Sequence, residues 1–154
     1  MLFVFLVAIS LTACKADNTW TPNENHLVEH LEALGYDAIS LESTKEITFT
    51  EQNLSLLPHQ QLWAIQTEEV TPYLNKSLKM YSFVVKGHPL DHSYGMVTTE
   101  VGLLVDANNI IGGWSFPMEK NNSLSGSYYS LNGLTAEEVQ TNYPAWQKEW
   151  NEKY

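Results

Sequence analysis

The chain has 154 residues and a formal net charge of −10, and all eight of its basic residues are lysines. That length suits one domain able to bury a core. The acidic balance argues against nucleic acid and against direct adhesion to anionic lipid, and a lone cysteine, Cys14, excludes an internal disulfide.

Residues 1–13, MLFVFLVAISLTA, carry no charge, and Leu2 to Ala8 is one apolar run. This is the pattern of an export-signal core, although no lysine or arginine precedes it. The run is too short for a transmembrane span, which needs ~20 apolar residues. It closes on Leu11-Thr12-Ala13-Cys14: a large aliphatic residue, two small ones, then cysteine. These four residues resemble the lipobox of bacterial lipoproteins. The resemblance implies cleavage before Cys14, a diacylglyceryl thioether on its thiol, and frequent acylation, such as with palmitate, of the new amine. Two acyl chains suffice for stable anchoring, at ~0.8 kcal/mol per buried methylene. The expected division is a signal peptide at 1–13, a lipidated cysteine and short tether at 14–22, and one domain at 23–154. A buried segment with a single cysteine is the competing reading. The polar stretch 15–25, which follows at once, argues against it.

Thr21-Pro22-Asn23-Glu24 reads as a helix start, with Thr21 as cap, Pro22 in the first turn and Glu24 closing a capping box. Leu27, Val28, Leu31 and Leu34 follow at helical spacing, and Gly35 is placed to end the helix. Ala38, Ile39, Leu41, Ile47 and Phe49 predict one or two strands. Leu54 to Leu57 reads as a short apolar piece stopped by Pro58, and Leu62-Trp63-Ala64-Ile65 as a buried strand. Glu68 to Asn75 reads as a loop or a short helix broken near Pro72.

Tyr81, Phe83 and Val85 alternate with Met80, Ser82 and Val84, and Met96 to Val105 is rich in valine, threonine and leucine. Both read as strands. Asp106-Ala107-Asn108-Asn109 predicts a hairpin turn, with Ile110 and Ile111 opening the returning strand. Gly112-Gly113 marks a bulge or a close backbone approach. Asn121 to Ser127 reads as a polar loop. Thr135 and Glu138 cap a further helix, which Pro144 kinks or restarts. Trp146, Trp150 and Tyr154 recur every four residues and so share one face. The expected class is α+β: an antiparallel sheet with the N-terminal and C-terminal helices packed on one face.

Two clusters have metal-ligand character. His26-Leu27-Val28-Glu29-His30 matches H-x-x-E-H, the zinc motif of inverzincin peptidases. Two histidines four apart on a helix can share a metal while the glutamate acts as base. That family uses larger domains and a third, distant glutamate; Glu100 and Glu119 are the nominees here. A solvated helix flank is the plainer reading, because three fixed positions arise easily by chance. His88, Asp91 and His92 form the second cluster, for which a surface turn is the plainer reading. No Gly-rich phosphate loop and no G-x-S-x-G elbow occurs. Lipidation of Cys14 would remove the one thiol nucleophile. Trp63, Trp114, Trp146 and Trp150 with Tyr128, Tyr129 and Tyr143 could line a pocket, though packing in the core explains such a set more simply.

Leu34-Gly35-Tyr36, Val105-Asp106 through Ile110-Ile111-Gly112-Gly113, and Tyr129-Ser130-Leu131-Asn132-Gly133 with Thr135 complete the pattern. Together they resemble a family of uncharacterised envelope lipoproteins of Gram-positive bacteria. The Val-Asp-turn-Ile hairpin is also similar to small secreted domains that inhibit or bind peptidases. The resemblance brings no catalytic residue and no cofactor. It implies a non-catalytic binding or accessory domain on the extracytoplasmic face of the cell membrane. Its partner would be an envelope protein or a small molecule. The alternative is a lipid-anchored zinc hydrolase built on His26, Glu29 and His30.

Overall fold

A computed structural model of the chain describes residues 20–95, 97–118 and 126–154. The expected signal, Cys14 and Glu119 lie outside the described residues.

The first helix, α1 (Pro22–Ala33), starts and stops where local chemistry places it. The Glu24 carboxylate accepts from the Thr21 backbone N–H at 2.9 Å, and Gly35 leaves the helix at φ +88, a conformation that costs glycine nothing. Leu27, Val28 and Leu31 form its buried stripe. Trp20, expected in the tether, belongs to the domain: its ring meets Phe83 edge-on with centroids 5.9 Å apart.

Strand β1 (Asp37–Thr48) is a single strand with two register shifts. Two short helices follow, α2 (Glu51–Leu54) and α3 (Leu57–Ala64). The expected strand at Leu62–Ile65 is therefore corrected: its first three residues are helical. A run of four apolar residues does not distinguish a period of two from one of 3.6. Pro58 opens α3 rather than stopping anything, since the first turn leaves its N–H unpaired in any case. A 3₁₀ turn at Thr71–Tyr73 leads into strand β2 (Ser77–Lys86), and a second at Pro89–Gly95 into β3 (Thr98–Asp106). The hairpin to β4 (Asn109–Met118) turns on Ala107 and Asn108, with Asp106 paired to Asn109. Helix α4 (Ala136–Val139) ends early. Pro144 then sits in the first turn of α5 (Tyr143–Lys153), capped by the Asn142 side chain accepting from the Ala145 N–H at 3.2 Å.

The four strands form one antiparallel sheet in the order β1-β2-β3-β4. The α+β class stands as expected, but the helices cover both faces of the sheet rather than one. Phe83 and Val85 of β2, with Val101 and Leu103 of β3, pack under α1. The alternate residues Leu78 and Leu104 pack with Leu62, Trp63 and Trp150 on the other side. Central strands that are apolar on both faces need cover on both.

The β4 edge is closed by a side chain and a bridge. The Gln66 amide imitates a strand: its Oε1 accepts from the Gly113 N–H at 2.9 Å and its Nε2 donates to the Gly113 carbonyl at 2.8 Å. Beyond it, Ser115 exchanges both backbone hydrogen bonds with Tyr129. Here the Gly112-Gly113 expectation resolves. Ile111 is the unpaired residue of a bulge, and a Cβ on Gly112 would stand 2.2 Å from the Gln66 Oε1. At the opposite edge, the two shifts and the charged Glu42, Lys45 and Glu46 interrupt β1, a common defence against strand addition. No helix of the described residues is long and apolar enough to cross a membrane.

Candidate functional site

The H-x-x-E-H residues all lie on α1. His26 and His30 are half-buried and Glu29 is exposed. Burial first, and then the neighbouring His26, lower the pKa of His30 below the ordinary imidazole value. His26 Nε2 is buried with no hydrogen-bond partner among the described residues. The nominated third ligand does not reach this pair. Glu100 alternates with Val101, which packs under α1, so its side chain belongs to the opposite face of the sheet. Among the described residues no three His, Cys, Asp or Glu side chains gather in a metal-holding group.

The second cluster is not a surface turn, and this expectation is corrected. His88 and Asp91 are 2 % and 5 % exposed; only His92 faces solvent. The Asp91 carboxylate accepts from the Gly87 and His88 backbone N–H groups at 2.7 and 3.1 Å, and from the Thr99 hydroxyl at 2.8 Å. The Leu90 N–H donates to His88 Nδ1 at 3.1 Å, so the ring proton sits on Nε2, which donates to the Leu131 carbonyl at 3.1 Å. The Tyr36 hydroxyl donates to that same carbonyl at 2.9 Å, and its ring packs on His88 with centroids 4.6 Å apart. Burial pushes the His88 pKa down, against the opposing pull of the Leu131 carbonyl and Asp91. The cluster ties the end of β2 to the 130–134 turn, with each named polar atom engaged.

The aromatic set divides between core and surface. Trp63, Trp114 and Trp150 are buried. Trp150 donates its Nε1–H to the Leu54 carbonyl at 3.0 Å. On α5 the rings run as a continuous row: Tyr143 stacks on Trp146 at 6.0 Å, Trp146 stacks on Trp150 at 4.9 Å, and Trp150 meets Tyr154 edge-on at 4.8 Å. Trp146, Trp150 and Tyr154 form one wall of a cleft of about 310 Å³, whose other side is the end of α3 and the 66–71 segment. This is near the lower limit of small-molecule sites, which start at ~300 Å³.

The cleft has three distinguishing features. Glu68, Glu69 and Glu149 stand exposed at its rim, and none forms an ion pair among the described residues. Trp63, which is 2 % exposed and lines the cleft, has a buried Nε1–H without a hydrogen-bond partner among the described residues. Lys153 already lays its ammonium over the wall, with Nζ 5.0 Å from the Tyr154 ring centroid and 3.2 Å from the Thr71 hydroxyl. A wider groove of about 540 Å³ crosses the sheet face beside Trp114 and Tyr128. Its tryptophan is engaged, since Trp114 Nε1 donates to the Met80 sulfur at 3.4 Å. Its rim pairs both charge signs, in Lys45 and Glu100. Tyr128, Tyr129 and Tyr143 line a smaller pocket of about 150 Å³.

Helical spacing made the Trp146, Trp150 and Tyr154 wall legible. The rim carboxylates Glu68 and Glu69 carried no such signal, because they reach the cleft through a loop. Comparison with known protein families, curated proteins and solved structures finds no match for this chain.

Proposed function

We propose that the chain is a non-catalytic binding domain, held at the extracytoplasmic face of a cell membrane by a lipid on Cys14. The observation that carries this reading is the Leu11-Thr12-Ala13-Cys14 sequence just ahead of a folded domain. Five residues separate Cys14 from Trp20, whose ring already packs on Phe83. At ~3.3–3.6 Å per extended residue the domain would stand within about 20 Å of its anchor point. The cleft on α5 is the binding surface in this reading, and its occupant is a small molecule or a side chain presented by an envelope protein. Nucleic acid is disfavoured by the net charge of −10.

The test is Cys14→Ser, with fractionation of cells expressing the full chain and labelling with palmitate. The parent should take up label and sediment with membranes, and the variant should do neither. A variant as membrane-bound as an unlabelled parent would overturn the anchor.

A further inference from the structure

Asn132-Gly133 is the single Asn-Gly pair in the chain, and such a pair carries its own chemistry. The Gly133 backbone nitrogen can attack the Asn132 Cγ, because the glycine has no Cβ to hinder the approach. The N–Cγ bond forms, the Cγ–Nδ2 bond breaks, and the proton of the attacking nitrogen leaves with ammonia. Water then opens the succinimide at either carbonyl, giving aspartate or isoaspartate. Asn132 is exposed, so water reaches its amide.

The attacking nitrogen, in contrast, is held. The Gly133 N–H donates to the Ser130 carbonyl at 2.9 Å, and the Ser130 N–H donates to the Leu134 carbonyl at 2.8 Å. The Ser130 hydroxyl accepts from the Asn132 and Leu134 N–H groups at 3.3 and 3.1 Å. Between them, the Leu131 carbonyl accepts from Tyr36 and His88. Gly133 stands at φ +79 beside His88 and Leu90, where a Cβ would lie 3.4 Å from each. The turn therefore keeps the nitrogen's proton engaged and the glycine packed. Ring closure requires the turn to open, a local event that the rest of the fold need not share.

We infer that Asn132 is a modification site gated by the 130–134 turn, converting to aspartate or isoaspartate when the turn lifts from Tyr36 and His88. Isoaspartate makes that opening one-way. It routes the backbone through the side-chain carboxyl carbon, which inserts a methylene between Ser130 and Leu134 and prevents the turn's hydrogen bonds from re-forming together. It also adds a negative charge to a chain already at −10. This goes beyond the binding-domain reading and does not depend on it.

The experiment incubates the full chain in a non-ionic detergent at mildly alkaline pH. Peptide mapping follows the conversion of Asn132 by mass, and enzymatic methylation detects isoaspartate. A synthetic peptide of residues 129–135 gives the ungated rate. The folded chain should convert at least about tenfold more slowly than the peptide. Tyr36→Phe removes one hydrogen bond on the Leu131 carbonyl and should speed conversion about fivefold. Val70→Ala loosens the core on the opposite side of the sheet, so it should lower the unfolding midpoint and leave the rate unchanged. Equal rates in chain and peptide would overturn the gate, as would a Tyr36→Phe rate equal to the parent's. Equal acceleration by Val70→Ala and Tyr36→Phe would overturn local opening in favour of global unfolding. Faster conversion at another asparagine, such as Asn108, would overturn the assignment of the site.

Discussion

Trp150→Ala measures whether the α5 stack is architecture. The indole is 8 % exposed, stacks on Trp146 at 4.9 Å and meets Tyr154 edge-on at 4.8 Å, and donates to the Leu54 carbonyl at 3.0 Å. Truncating a buried tryptophan to alanine costs about 3–5 kcal/mol. The lost hydrogen bond strands the Leu54 carbonyl at the end of α2, which moves the estimate toward the upper end of that range. Against a total stability of ~5–15 kcal/mol, this is a large fraction. It corresponds to a fall in midpoint of roughly 10–20 °C for a domain of this size. Thermal melts followed by circular dichroism read it directly. Glu152→Ala is the control: its pairing with Lys148 is 3.7 Å long and exposed, and such pairs contribute ~0–1 kcal/mol. An unchanged melting curve for Trp150→Ala would refute the packing argument and leave the rings as a free contact surface.

Two further outcomes follow from the histidines. His88 is buried in its neutral form with a lowered pKa, so the unfolded chain binds a proton more readily than the folded one. Its contribution to stability is therefore complete above the ordinary imidazole pKa of 6.5 and is lost as pH falls below it. His30 has the same sign. Melts across this range for the parent, His88→Gln and His30→Gln isolate each contribution from the general relief of acidic repulsion; an identical pH dependence in His88→Gln would contradict a buried neutral His88. For the H-x-x-E-H motif, elemental analysis of the purified chain should find well under one zinc per molecule. Stoichiometric zinc that is lost in His26→Ala would instead favour the hydrolase reading.

What was legible in the sequence was what local chemistry decides. Thr21, Pro22, Glu24 and Gly35 bracket α1 because capping and positive φ act within a few residues. The hairpin at Ala107-Asn108 and the shared face of Trp146, Trp150 and Tyr154 were legible for the same reason. What was missed depends on distant partners. Gln66 is an unremarkable polar residue until Gly113 is folded against it, and His88 and Asp91 look like a surface turn until Leu131 and Thr99 enclose them. The division of helices between the two faces followed from β2, where Leu78 and Met80 on one side match Phe83 and Val85 on the other. The cleft was half visible: its aromatic wall has a helical period, but its carboxylate rim comes from a loop.

The central claim, that the α5 cleft is where this protein meets its ligand, is tested most directly by nitrogen-15 NMR of the indole N–H groups. The chain has five tryptophans, of which Trp63, Trp146 and Trp150 line the cleft. Trp20 and Trp114 pack elsewhere, against Phe83 and Tyr128. Titration with small-molecule fractions of a cell-envelope extract should shift the Trp63, Trp146 and Trp150 resonances with one common saturation curve and leave those of Trp20 and Trp114 in place. Unmoved cleft resonances, or a saturable shift confined to Trp114, would contradict the claim.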